Sequence, residues 1–404
     1  MQLAITCNGP GETAGWLRPL LRELYAVQPA TELHIFYVPD DYATGAEPGV
    51  VRALFPQAHV YDTGTYIKTA LGRRVPGVPD RVDVVLYLGG DLMHAARLRR
   101  VFRSRFRCYR FVRRKYARFT ERAYAIDKHN AEEMVRTGVT SENVRVTGNL
   151  AIDGALIEAS AEPESGAPED GILFMPGSRD YEVANLVPFF FTAALALRRE
   201  DPNLPIAFGI SPFTSIEELR AAITSGGHPN VFSKRGALLH EGDRLFLASE
   251  DGTQRFPVVR NALSAATRAR LVVTFPGTKV IELAALGKPV LSCTLLNLPE
   301  AVTINGPLTY LDRIPLVGVS LKRAVVTGVS RRFKFHTQPN MDAGYEIVRE
   351  LHGTLTPGRV ARVALQGWDD AKWLRETSQA LLMLYTEHRG ASARMARDIL
   401  ETEA

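Results

Sequence analysis

Short apolar runs that alternate with longer amphipathic ones constrain this chain more than any other feature. Residues 3–6, 33–38, 59–61, 82–88, 107–112, 123–126 and 144–147 read as strands. Helical stretches lie between several of them, such as 15–26, where Trp16, Leu20, Leu21 and Leu24 recur at helical spacing. Strands alternating with helices are joined by parallel crossovers, which predicts a Rossmann-like open sheet. Residues 159–171 then break the pattern; they are rich in Pro, Gly and Glu, lack large apolar residues and read as a linker. A second alternation follows, with strands at 172–175, 206–210, 271–274 and 290–293 and helices at 182–199, 215–224, 258–267 and 280–286. The tail from Gly344 reads mostly helical, with Leu374, Leu381, Leu384 and Tyr385 on one stripe.

The expected architecture is therefore α/β, two Rossmann-like domains facing across a cleft where ligands of such folds sit. Residues 1–158 form the first domain, 159–171 the linker, 172–340 the second domain, and 341–404 a helical segment returning to the first. A chain of 404 residues is long enough for two cores.

Cys7, Cys108 and Cys293 are scattered, odd in number and lack metal-ligand spacing, which fits a reducing compartment rather than a disulfide framework. The first residues lack the basic lead and cleavage pattern of a signal peptide, and no run approaches the ~18 apolar residues of a membrane span. The expectation is a cytoplasmic protein. Its net charge of +5 has one source, because twelve Lys or Arg and a single Glu lie between Arg97 and Arg122. Basicity gathered in one patch argues against general nucleic-acid binding.

Three strand-to-helix junctions carry the chemistry. The first, Cys7-Asn8-Gly9-Pro10-Gly11-Glu12, follows the first strand, and Gly9 and Gly11 let a backbone approach a ligand. Its spacing is not the dinucleotide fingerprint, and a plain tight turn is the alternative. The second is Pro176-Gly177-Ser178-Arg179, with Glu182 three residues on. Ser178 and Glu182 suit the start of a helix, whereas Arg179 suits a phosphate arriving there. The third, Pro276-Gly277-Thr278-Lys279 with Glu282, repeats the design. Backbone N–H groups at Gly277 and Thr278 would cradle a pyrophosphate, and Glu282 would accept from ribose hydroxyls. Two such loops in one domain point to a diphosphate ligand.

The second and third junctions together resemble the lipid-A-disaccharide synthase family of inverting glycosyltransferases. Gly11-Glu12 looks like that family's first glycine loop, Val146-Thr147-Gly148-Asn149 like the strand end before its linker, and Pro339-Asn340 with Glu350-Leu351 like its C-terminal segment. The resemblance implies transfer of a glucosamine-type sugar from a UDP-sugar to a lipid-linked acceptor, with no cofactor and no metal. It places Gly177, Ser178, Arg179, Glu182, Gly277, Thr278 and Glu282 on UDP, with Asn340 and Glu350 completing the donor pocket. It also implies a homodimer.

Departures gather on the acceptor side. Ala14-Gly15-Trp16 replaces the family's Ser-Gly-Asp, and Leu88-Gly89-Gly90-Asp91-Leu92-Met93-His94 replaces its Asp-x-Pro-Asp-Phe-Asn. Asp91 is the expected general base, with Glu12 and His94 in reserve; capping of the following helix is the alternative role for Asp91. Six aromatics interleave the cations between Arg97 and Arg122, a composition suited to an anionic membrane surface, where each charge is worth roughly 1 kcal/mol. The same composition would hold single-stranded nucleic acid, and a solvated helix face beside a strand is the plain alternative; a lipid-linked acceptor favours the membrane. The reading is a glycosyltransferase held peripherally at the inner face of the membrane. A UDP-sugar 2-epimerase shares the two-domain plan without needing that surface. A non-catalytic UDP-sugar- or lipid-binding relative is the third reading.

Overall fold

A computed structural model describes residues 1–39, 45–297 and 334–401. Residues 298–333 of the expected second domain lie outside the described residues. The chain divides into two compact units, Met1–Ile157 with Tyr385–Ala404, and Glu158–Leu384.

The first unit is built on a parallel sheet of β1 (Gln2–Cys7), β2 (Glu32–Tyr37), β3 (His59–Tyr61), β4 (Val84–Tyr87), β5 (Arg105–Tyr109), β6 (Arg122–Ala125) and β7 (Val144–Val146). Their order is β3-β2-β1-β4-β5-β6-β7. Central β4 reads VVLY and is buried throughout, as a strand covered on both faces must be. The last helix, Ala391–Glu401, places Met395, Ala396 and Ile399 in the same core as Leu3, Ile5 and Leu24. Buried Asp153 anchors its start, accepting from the N–H of Gly390 and Ser392 at 2.7 Å each and from Ser392 Oγ at 2.6 Å.

The second unit contains β8 (Ile172–Met175), β9 (Ile206–Gly209), β10 (Ala237–Glu241), β11 (Arg244–Ala248), β12 (Arg255–Val259), β13 (Leu271–Thr274), β14 (Val290–Leu295) and β15 (Arg349–Gly353), in the order β10-β11-β12-β9-β8-β13-β14-β15. Pairing is parallel from β12 to β15, and an antiparallel meander, β10-β11-β12, finishes one edge. Phe174, Phe189, Phe190, Phe191 and Phe208 fill the core between β8, β9 and the helix Asp180–Glu200.

Both units have the expected Rossmann-like α/β design. The differences are local. Residues 255–259, partly inside the expected helix 258–267, form an edge-side strand, and the helix begins only at Ala262, where Asn261 caps it through Ser264 N–H. The meander and β15 were not read from the sequence at all. β15 reads RELHG, which has no apolar run to announce a strand.

His34 shows what burial in this sheet costs. It is 3% exposed, stacks on His59 with centroids 4.8 Å apart, and meets Tyr61 Oη at 3.1 Å through Nδ1. Burial, reinforced by the neighbouring His59, lowers its pKa to about 4. The unfolded residue titrates near ~6.5, so the native state binds fewer protons between those values. Its contribution is complete above the unfolded value and disappears as pH falls toward about 4, amounting to at most ~3 kcal/mol. Denaturant unfolding at pH 7 and pH 4.5 should show a smaller acid-induced loss for His34→Gln than for the native chain. Equal losses would refute this account.

Candidate functional site

In each sheet the order reverses beside the first strand, between β1 and β4 and between β8 and β13. Crossovers leave such a pair in opposite directions, so a crevice opens at the carboxyl ends. All three junctions singled out in the sequence emerge at these strand ends, as does the Asp91 loop.

In the second unit the crevice is closed below by Thr274 Oγ1, which donates to the Met175 carbonyl at 2.7 Å and ties the ends of β13 and β8 together. The loop after β8 is satisfied from within. Glu182 is almost buried, and its Oε2 accepts from the N–H of Ser178 at 2.9 Å and of Arg179 at 3.1 Å. The N-cap is therefore Arg179 and not Ser178, whose hydroxyl makes no cap. Gly177 has φ of +99°, and a Cβ there would lie 2.2 Å from Glu182 Oε2.

The loop after β13 differs. Gly277 is the N-cap of the helix Thr278–Ala285, and no side chain among the described residues bonds its first N–H groups. Its backbone is extended, a conformation open to any residue, and a Cβ built on it meets nothing within 4 Å among the described residues. Glu282, 6% exposed, pairs with Lys279 at 2.7 Å. Burial opposes the lysine's charge, but the Glu282 carboxylate outweighs it and holds Lys279 above the ordinary lysine range.

Asn340 and Glu350 form a buried clasp. Asn340 donates to Val348 O and Glu350 Oε1, and accepts from the N–H of Ile347 and Val348, which exhausts its amide. Glu350 also accepts from His336 N–H, Thr337 N–H and Thr337 Oγ1. Their bonding is directed inward, so what they hold directly is the segment 336–350.

In the first unit, a short helical turn, Pro10–Glu12, runs into a π-helical turn, Thr13–Leu17. The Gly9 carbonyl accepts from Thr13 N–H and Oγ1, and a Cβ on Gly11 would meet nothing within 4 Å. The loop after β4 presses on this turn, because a Cβ at Gly89 would lie 2.3 Å from Asn8 Oδ1. The Gly89-Gly90 pair was a readable sign of that close approach.

Asp91 performs the capping role, accepting from Met93 N–H at 2.8 Å. Arg113 grips it with both arms, at 2.8 and 3.2 Å. Burial pushes its pKa up, but the Met93 N–H and Arg113 prevail and hold the carboxyl below the usual range. So clamped, Asp91 is a weak base. His94 meets Tyr66 Oη through Nδ1 at 2.6 Å, and burial lowers its pKa against the pull of Asp91, leaving a neutral imidazole at pH 7.

The structure also divides the basic aromatic segment. Phe102, Phe106 and Tyr109 are buried, and Tyr116 and Phe119 pack against the core, while Phe111 alone of the six is half exposed. Arg107 is fully buried, donating to Glu121 at 3.3 Å and to the Ile399 carbonyl at 3.2 Å. The aromatics serve the core, and the expected apolar contact with a bilayer reduces to Phe111. No helix among the described residues is long and apolar enough to cross a membrane.

This arrangement defines a two-unit α/β protein with a helix-start crevice in each unit. Three solved structures share its fold over nearly its whole length. S. aureus MnaA in complex with UDP aligns with a TM-score of 0.60 at 16% identity, covering 100% of this chain and 96% of that one. A UDP-N-acetylglucosamine 2-epimerase aligns at 0.59 and 15%, covering 100% and 95%. The Neisseria meningitidis UDP-GlcNAc 2-epimerase bound to UDP-GlcNAc aligns at 0.56 and 12%, covering 99% and 100%. No family model and no curated protein sequence matches.

These neighbours overturn the resemblance to lipid-A-disaccharide synthase, together with the glycosyltransferase activity and the lipid A role drawn from it. The physical reason is that glycine loops at the ends of β8 and β13 follow from the fold's crevice, which such a fold offers to more than one chemistry.

Gly177→Ala should destabilise the protein by about 1–3 kcal/mol, since it combines a positive φ with displacement of the Glu182 carboxylate. Gly11→Ala, in open space, should change stability by no more than ~0.5 kcal/mol. Denaturant unfolding of the two variants checks both; equal effects would remove the steric explanation.

Proposed function

We propose that this protein binds a UDP-sugar at the crevice of the second unit and inverts the sugar at C2, as a UDP-GlcNAc 2-epimerase-like enzyme. The observation that carries the reading is the start of the helix Thr278–Ala285. Among the described residues its first N–H groups have no capping side chain and nothing fills the space in front of Gly277, while Lys279 stands beside them. A diphosphate fits such a helix start through N–H groups, dipole and cation together. The fold's solved relatives in complex with UDP or UDP-GlcNAc support uridine as the nucleoside and a 2-acetamido sugar as the substrate class.

Epimerisation at C2 needs no acceptor. That suits a first unit lacking the acceptor loops of a lipid glycosyltransferase. As a base takes the C2 proton, the C1–O bond breaks and its electron pair leaves with the diphosphate, giving a C1=C2 double bond; an acid then returns a proton to the opposite face of C2 as the same diphosphate oxygen re-bonds C1. Donors fixed at the helix start would stabilise the charge gathering on the departing diphosphate.

UDP at 100-fold its Kd should stabilise the folded chain by ~2.7 kcal/mol, readable as a rise in melting temperature. Gly277→Ala should leave the unliganded melt unchanged and remove that rise, because the glycine is demanded by the ligand and not by the backbone. UDP-GlcNAc incubated with the protein in D2O should acquire deuterium at C2 and yield its C2 epimer. A melt shifted by another nucleotide but by no uridine nucleotide would sink the ligand. Binding without deuterium exchange would sink the reaction.

A further inference from the structure

The turn after β5 holds a strained arginine that the UDP-sugar reading does not use. Arg110 has φ of +63°, a region bulky residues rarely occupy. Across it Phe111 N–H donates to the Tyr109 carbonyl at 2.7 Å, closing a three-residue turn of the rare, positive-φ kind. The surroundings enforce this shape. Arg110 N–H donates to Tyr124 O at 2.8 Å, and Asn130 Nδ2 donates to Arg110 O at 2.9 Å. Asn130 is itself buried and pinned, its N–H on Asp127 at 2.7 Å and its Oδ1 accepting from Ile126 at 3.2 Å.

The strain fixes where the guanidinium lies. It sits 5.2 Å from the Phe111 ring and 5.9 Å from the Trp16 ring, flanked by both aromatics. No carboxylate among the described residues forms an ion pair with it. A cavity of about 350 Å³ opens between this turn and the helix Lys128–Thr137, lined by Arg110, Phe111, Met134 and Arg136. Arg136 is likewise without an ion pair among the described residues; Glu133 also lines the cavity and pairs with His129 at 3.5 Å. Backbone strain that neighbouring groups enforce tends to mark function. Two arginines without ion pairs among the described residues outnumber the one carboxylate in this lining, and with the apolar wall beside them they suit an anion with a carbon skeleton.

We propose that this cavity binds a phosphate ester, whose dianion is recognised by Arg110 and Arg136 and whose carbon skeleton lies on Phe111 and Met134. Two guanidinium forks match a dianionic phosphate better than a single carboxylate. The cavity lies wholly in the first unit, so its ligand is independent of the uridine nucleotide proposed for the second. The phosphate could come from a soluble metabolite or from a lipid headgroup, and the two sources are separable.

The test titrates glycerol 3-phosphate into the full chain saturated with UDP, and in parallel measures flotation with phosphatidic acid or phosphatidylcholine vesicles. Arg110→Gln and Arg136→Gln should each weaken phosphate binding about tenfold or more, ~1.4 kcal/mol, while Arg100→Gln, an equal charge change on the exposed face of the helix Leu92–Phe102, should stay within about twofold. Arg110→Gly relieves the positive φ and should melt no lower than the native chain while losing the ligand. Binding of glycerol 3-phosphate supports a soluble ester; binding only to phosphatidic acid vesicles supports a lipid headgroup. Binding of neither probe, or equal weakening by all three Gln variants, overturns the assignment.

Discussion

Reversal of strand order beside the first strand is the constraint on which both units depend. β1 and β8 each pair on two sides with strands reached by crossovers running in opposite directions. That geometry buries the central strands on both faces, which is why VVLY, ILFM and LVVT carry no solvent-facing residue. It also leaves the carboxyl ends of β1, β4, β8 and β13 uncovered by their own helices. Side-chain chemistry that would be unstable inside the sheet can persist there, and the glycine loops, Glu12, Asp91, Arg179 and Lys279 all lie at those ends.

Much of this was legible because the strands are short apolar runs and the helices amphipathic, so two different periods mark them. All seven strands of the first unit fall within a few residues of their expected places. What escaped was structure without a period of its own. The meander β10-β11 mixes His, Glu and Arg into an edge, and β15 is a charged strand placed by its neighbour β14. At the site, the sequence located the loops but could not say which bonds they spend internally. Ser178, Asn340 and Asp91 all had the right chemistry to meet a ligand. Only coordinates show the cap passing to Arg179, the Asn340 amide exhausted on Ile347, Val348 and Glu350, and Asp91 gripped by Arg113.

The same limit explains the change of function. Motifs at the ends of β8 and β13 describe how a diphosphate would be held, and holding is common to transfer and epimerisation. The discriminating information lay in the departures, Ala14-Gly15-Trp16 and the Gly89-Gly90-Asp91 loop. Those residues have structural reasons of their own: Trp16 packs edge-on against Tyr109 at 5.5 Å, and Gly89 yields to Asn8. A loop rebuilt around packing in this way no longer argues for the acceptor chemistry of the family it resembles.

An asymmetry in the second crevice follows from the cost of orphaned backbone groups. Helix starts leave N–H groups that must find partners, and two facing starts left bare would destabilise the unliganded fold. The long helix Asp180–Glu200 carries much of the aromatic core, so its start is secured by Glu182 from within. The helix Thr278–Ala285 spans eight residues, and its start is left without a capping side chain. The helix on which folding most depends is thus capped by the protein, and the shorter one has the N–H groups that the proposed diphosphate would use. Were Glu182 the ligand-facing carboxylate, the helix carrying the core would lose its cap whenever the site filled. Its partner Glu282 bears no such burden, since its ion pair with Lys279 can open without uncapping any helix.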